Sequence, residues 1–164
     1  MGRGIILLGV ISVLLSGCAS VISKEALQGV QREIVFDAIV RNPKAFRERS
    51  VILGGDILET KPLSRRTEIL VLQRTLGTRD KPNPESVSLG RFIVSAPGFL
   101  DPEIYRSGRL VTIVGTITGQ ETRPLGEIEY TYPLIEKREI YLWPVEETGR
   151  QPRFFFGLGV GKSF

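Results

Sequence analysis

Apolar residues along this chain are arranged in two ways. One near-continuous run, Ile5–Leu15, lies close to the amino terminus; beyond it, apolar residues fall into short stretches that alternate with polar ones. The first run is shorter than the about 20 residues a bilayer-spanning helix needs. With Arg3 ahead of it and small residues behind it, it has the layout of an export signal rather than of a structural element.

The alternating stretches predict a mainly β domain. Ser50–Leu58 reads as a first strand, with Gly54-Gly55 marking a bulge or sharp bend, and Lys61-Pro62-Leu63-Ser64 reads as a turn. Thr67–Thr75 is a second strand and Gly90–Ser95 a third, separated by a polar loop holding Pro82 and Pro84. Arg109–Gly119 is apolar on both alternations, so it is expected to be central and covered on two sides. A last extended stretch runs from Ile128 to Trp143 and is expected to break or bulge at Pro133. Between the third and fourth strands, Asp101 can cap a single helical turn with Pro102 in its first position. Ahead of the strands, Arg32–Val40 predicts a short amphipathic helix closed by Asn42-Pro43, because the residue before a proline is pushed out of the helical region.

Five strands, one or two short helices and glycine kinks predict a small curled five-stranded antiparallel sheet, with an OB-like barrel as the nearest architecture and a plain α+β meander as the alternative. The expected layout is a signal peptide over 1–17, a tether over 18–31, a β-rich domain over 32–147 and a tail over 148–164. The tail carries Phe154, Phe155, Phe156 and Phe164 among alternating glycines. Those aromatics suit a lipid or protein surface, whereas the glycines weaken any regular element and favour a flexible extension.

The only cysteine, Cys18, ends the sequence Leu15-Ser16-Gly17-Cys18. This resembles the bacterial lipobox, in which the cysteine thiol is joined to diacylglycerol and the chain is cut in front of it. No second cysteine exists to form a disulfide, so export gives this thiol no other evident role. Ala19 and Ser20 follow where an Asp would favour the inner membrane, so the resemblance implies the outer membrane of a Gram-negative cell with the domain facing the periplasm. Each buried methylene contributes about 0.8 kcal/mol, so several acyl chains hold a protein where a single one does so only marginally.

Composition narrows the chemistry. There are no histidines, which removes serine-histidine and cysteine-histidine hydrolases, histidine-ligated zinc and histidine general bases together. The formal charge of +4 is mild. It falls short of the basic stripe of a nucleic-acid binder, so no nucleic-acid partner is expected, although an anionic lipid is compatible. No cofactor or metal is called for.

The block Gly98–Gly119, with Asp101-Pro102-Glu103-Ile104-Tyr105 and the strand after it, resembles the Slp family of starvation-inducible outer membrane lipoproteins. Asn42-Pro43, Phe46, Gly54-Gly55, Thr67-Glu68-Ile69, Gly90-Arg91-Phe92 and Tyr141-Leu142-Trp143 fit the same pattern. Glu48 departs from it, standing where the family often has glycine in the turn before the first strand. The resemblance implies a location and a class, and neither a reaction nor a ligand.

Two carboxylate pairs, Asp101 with Glu103 and Glu127 with Glu129, are the candidates for hydrolytic chemistry, but spacing alone does not make a catalytic pair. Arg65 and Arg66, with Lys61 nearby and Arg47 and Arg49 upstream, are candidates for a basic face meeting lipid phosphates or a partner protein. Such charge runs are usually solvated surface. The expectation is therefore a non-enzymatic structural or binding module of the envelope, held by Cys18 and connected to stress or starvation. The competing readings are an accessory subunit of an outer membrane assembly or transport machine, and a carboxylate-dependent hydrolase.

Overall fold

A computed structural model of the chain describes residues 20–145. Five strands form a closed barrel: β1 (Ser50–Pro62), β2 (Arg66–Arg74), β3 (Arg91–Pro97), β4 (Leu110–Leu125) and β5 (Ile128–Leu142), in the spatial order β1-β2-β3-β5-β4. Closure leaves no unpaired edge. Four of the ladders are antiparallel, as expected, while the β3–β5 contact is parallel and spans only Ile93–Ser95 against Leu134–Glu136. The architecture is the OB-like barrel that the strand pattern suggests.

The barrel interior is filled from every strand, with Val51, Ile57, Ile69, Val71, Phe92, Val94, Val111, Ile113, Ile117 and Ile135 almost wholly buried. One helix, α1 (Phe36–Arg41), packs on this core through Phe36 and Ile39, and the Phe36 ring meets Phe92 at 5.6 Å between centroids. It starts four residues later than the sequence predicts, because Val35 is extended and Arg32 is drawn into an ion pair instead. Asn42 closes it, as expected, and its Oδ1 accepts the amide of Ala45 in the following 3-10 turn, Pro43–Phe46. Asp101 likewise accepts the Glu103 amide at 2.8 Å, but the residues after it form a hydrogen-bonded turn rather than an assigned helix.

The glycine pair in β1 acts by close approach, not as a bulge. Gly54, Gly55 and Asp56 are paired on both sides, with β2 and with β4. A Cβ on Gly55 would lie 1.9 Å from the Leu72 carbonyl oxygen. The irregularity of β1 falls further on, where the register skips Leu58 between Ile57 and Glu59. In β5, Pro133 is accommodated without a break opposite Gln120, one residue before β3 joins the other side at Leu134. The β4–β5 ladder is irregular elsewhere, skipping Arg138 on β5 and Thr118 on β4. β4 also continues to Leu125, past its expected end at Gly119. That added length is a polar hairpin arm, held by the ladder and by a Thr122–Thr131 hydroxyl contact of 3.0 Å.

Residues 20–31, expected as a tether, lie on the barrel in this structure. Ile22 and Ala26 are buried against Ile52 and Val114, which point out of the barrel on β1 and β4. Val30 bridges Ser50 in parallel, and the Gln31 amide donates to the Ser50 carbonyl at 2.9 Å. This explains why both alternations of β4 are apolar: one faces the core and the other faces the N-terminal segment.

Glu48 has φ 66° and its amide donates to the Ile117 carbonyl at 2.7 Å. A left-handed conformation costs a side-chain-bearing residue about 1–2 kcal/mol, partly offset in glycine by lost chain entropy of about 0.5–1 kcal/mol. Glu48→Gly is therefore expected to raise stability by about 0.5–1 kcal/mol in urea unfolding. Gly55→Ala is expected to lower it by about 3 kcal/mol or to prevent folding, since only backbone movement can clear the clash.

Candidate functional site

The place where the N-terminal segment joins the barrel gathers polar contacts from distant parts of the chain. Arg138, the residue skipped in the β5 ladder, turns its guanidinium onto the N-terminal segment. It donates to the carbonyls of Ala26 at 3.0 Å and Gln28 at 2.8 Å and to the Ser50 hydroxyl at 2.7 Å. Re-aiming a side chain in this way is a usual consequence of an extra residue in a strand. Its neighbour Glu139 accepts the Ser23 amide at 3.0 Å and the Ser23 hydroxyl.

At the other end of the segment stands Asp80, a carboxylate that is only 8% exposed. It accepts the Ser20 hydroxyl at 2.6 Å and a two-armed pair from Arg32, Nη1 at 2.7 Å and Nη2 at 3.1 Å. Arg79 and Asp80 both have left-handed φ, 60° and 61°, a strained backbone in residues other than glycine that persists only where surrounding contacts enforce it. Those contacts include the Asp80 carbonyl, which accepts the buried Thr112 hydroxyl at 2.6 Å; that hydroxyl in turn accepts Trp143 Nε1 at 2.9 Å. The hydrogen bonds from Arg32, helped by the one from Ser20 and opposed by burial, hold the Asp80 carboxyl below its ordinary range.

Beside this junction is an open groove of about 270 Å³ lined by Lys81, Pro84, Arg109, Leu110, Trp143 and Val145. Lys81 Nζ sits 5.5 Å from the centre of the Trp143 ring. Arg109 donates to the carbonyls of both Ile104 and Trp143, tying the turn after Asp101 to the end of β5.

The site residues proposed from sequence fare differently. Cys18, Phe154, Phe155 and Phe156 lie outside the described residues. Arg65 and Arg66 sit at the β1–β2 turn, lining an open depression with Leu63 and Ser64. Arg66 is paired with Glu68 at 2.9 Å, and Glu68 also takes Arg123 at 2.9 Å, which holds Glu121 at 2.7 Å. Burial raises the Glu68 pKa, but hydrogen bonds from Arg66 and Arg123 outweigh it and leave the carboxyl below the ordinary range. These two cations and two anions cancel, so Arg66 is committed to a neighbour rather than offered to an anionic ligand. Nor do the five cations make one face: Arg47 and Arg49 precede the 13-residue β1, whereas Lys61, Arg65 and Arg66 lie at its far end.

Neither carboxylate pair lines the groove. Asp101 and Glu103 are exposed in a turn, and Glu127 and Glu129 are exposed at the β4–β5 hairpin. Among the described residues no group of three or more histidine, cysteine or acidic side chains could hold a metal, and no helix is long and apolar enough to cross a membrane. Sequence reasoning missed Asp80, Arg32, Thr112 and Arg138, whose partners are tens of residues away. One signal was present: Ile22, Ala26 and Val30 recur every fourth residue, in a segment preceding a strand that is apolar on both faces.

Removing the Asp80 charge is expected to lower stability by about 1–2 kcal/mol near neutral pH, the lower part of the range for hydrogen bonds to charged groups because Arg32 is half exposed. The folded pKa lies below the unfolded one, so this contribution is fully present above the ordinary aspartate range and is lost as pH falls through the depressed value. Urea unfolding of wild type and Asp80→Asn should accordingly differ at pH 7 and converge as the pH drops below about 4.

A model of the outer membrane lipoprotein Slp family matches residues 15–156, a range that takes in Leu15-Ser16-Gly17-Cys18 as well as the barrel. An uncharacterized protein of Haemophilus influenzae is 34% identical over 105 residues, covering 63% of this chain but only 57% of that protein's length. Outer membrane protein Slp of Escherichia coli is 27% identical over 164 residues, covering 98% of this chain and 85% of that one. The uncharacterized lipoprotein YeaY of Escherichia coli is 28% identical over 142 residues, covering 84% and 71%. The lipobox-like sequence, the closed barrel and a match reaching across both place this chain in the outer membrane lipoprotein Slp family.

Proposed function

We propose that this protein is a non-enzymatic module of the cell envelope, fixed to the outer membrane through acylated Cys18, whose barrel serves a structural or binding role. The observation that carries the reading is the position of the lipobox-like cysteine. Cys18 stands two residues before Ser20, and Ser20 is hydrogen-bonded to the barrel through Asp80. A thioether-linked lipid at that position would hold the whole domain against the membrane surface rather than on a long leash.

The chemistry of the remaining residues supports a role without turnover. The most buried carboxylates among the described residues, Asp80 and Glu68, are each committed to arginines, and the two acidic pairs are exposed. General acid-base work is most effective with a carboxyl positioned on the reacting group and with a pKa near the working pH. Both buried carboxyls are instead shifted down.

Fractionation of cells expressing wild type or Cys18→Ala, with intact-mass analysis of the processed chains, tests the anchor. The wild type is expected in the outer membrane at a mass that includes acyl chains, and the variant is expected to be lost from it. A soluble, unacylated wild type would overturn the reading.

A further inference from the structure

A second groove, of about 240 Å³, is walled by Ile34, Val35 and Phe36 at the start of α1 and by Leu53, Leu76 and Leu89 opposite them. Val35 is 61% and Leu89 50% exposed, so the apolar lips of this groove meet water. Its two cations are committed elsewhere, Arg32 to Asp80 and Arg74 to Asp56 at 2.6 Å and to the Ser86 carbonyl. Two carboxylates beside it are uncommitted. Glu33 stands between Arg32 and Ile34, and Glu85 precedes Ser86, whose hydroxyl accepts the amide of Thr75 in the groove wall. Both are exposed, and neither has a cationic partner among the described residues.

The chain itself carries an occupant of matching chemistry. Arg150 and Arg153 lead into Phe154-Phe155-Phe156, three aromatic rings behind two cations. The family match runs to residue 156 and so takes in all three rings together with the barrel. Reach is sufficient. Tyr141, Thr112 and Gly54 lie opposite one another across two successive ladders, so Tyr141 and Gly54 are about 10 Å apart. Val145 is four residues past Tyr141, which keeps it within about 24 Å of Gly54 in the groove wall. Phe154 follows nine residues after Val145, and that length of chain spans about 30 Å. A segment on so short a linker meets the groove at an effective concentration of order millimolar, so modest contacts are enough to hold it. The nearer groove beside Trp143 offers less to an aromatic ring, since Trp143 is only 8% exposed and its ring nitrogen is bonded to Thr112.

We infer that Phe154-Phe155-Phe156 docks in the groove between the start of α1 and Leu89, with Arg150 and Arg153 beside Glu33 and Glu85. Aromatic side chains seated in an apolar pocket and flanked by charge pairs are the usual anchors of such a contact. The chain after β5 then returns to the barrel as the segment before β1 does, and the groove is a receptor for this chain's own aromatic segment. The inference does not depend on acylation of Cys18.

Photo-crosslinking of the full-length chain in cells reads this contact. p-Benzoylphenylalanine replaces Phe154 or Phe155, which between them sample both sides of the segment, and in a control it replaces Ile128 at the exposed hairpin. After illumination and denaturing purification, peptide mass analysis locates the bond. The expected product has the mass of a single chain, with 154 or 155 joined to a peptide carrying Val35 or Leu89 at several times the level of the control. The double variant Val35→Asn, Leu89→Asn changes two exposed side chains and is expected to lower that yield several-fold. A yield unchanged by the double variant overturns the docking. So does a bond formed only with the 81–84 loop, with lipid, with another protein or with a second copy at twice the mass, and so does a yield no higher than the control.

Discussion

The structure depends on a constraint peculiar to β4: a strand in a closed barrel has an inner and an outer face, and this one is apolar on both. Val111, Ile113 and Ile117 fill the core, while Val114 on the outer face, with Ile52 beside it on β1, needs a cover of its own. Ile22 and Ala26 provide it. Fully burying a large aliphatic side chain contributes about 2 kcal/mol, so the contact among Ile22, Ile52 and Val114 is a sizeable part of the about 5–15 kcal/mol by which a domain of this kind is stable. The segment following the candidate lipid site is therefore part of the fold, and the polar latches at Asp80, Arg138 and Glu139 hold it in register.

Much of this was legible from alternation alone. Alternation places four of the five strands within a few residues of their observed starts and ends and marks glycines 54 and 55 as special. The bulge expected there is absent, because a mid-strand glycine permits a close approach as well as a bend. Only the partner strand, here the Leu72 carbonyl, decides between them. The extension of β4 to Leu125 was invisible for a different reason: Gln120–Pro124 has no apolar side to alternate, and the arm is held by its ladder to β5. Glu48 departs from the family pattern, and the structure shows what that departure entails, a left-handed residue with a Cβ.

The site was far less legible. Ser20 and Asp80 are sixty residues apart, Arg32 and Asp80 forty-eight, and Arg138 and Ala26 one hundred and twelve. No local rule links such pairs. The ion pairing of Arg66 was hidden for the complementary reason, since charge runs in a sequence do not reveal their counter-ions. Glu68, two residues along β2, takes Arg66, and Arg123 with Glu121 arrives from β4 to complete a network of two cations and two anions. What the sequence did show, a lipobox-like cysteine and no histidine, bears on location and chemical class; the fold adds that Ser20, the first described residue, is bonded directly to the barrel.

The central claim is that the residues after the candidate lipid site are joined to the barrel as a packed element. Amide hydrogen exchange in the folded, full-length chain tests it most directly at Leu27, Val30 and Gln31, whose amides donate to the carbonyls of Ser23, Leu27 and Ser50. The account predicts that the Gln31 amide exchanges as slowly as amides of the β1–β4 ladder and that Leu27 and Val30 are protected well beyond unstructured chain. Exchange of all three at the rate of an unstructured peptide, with the barrel amides still protected, would contradict it.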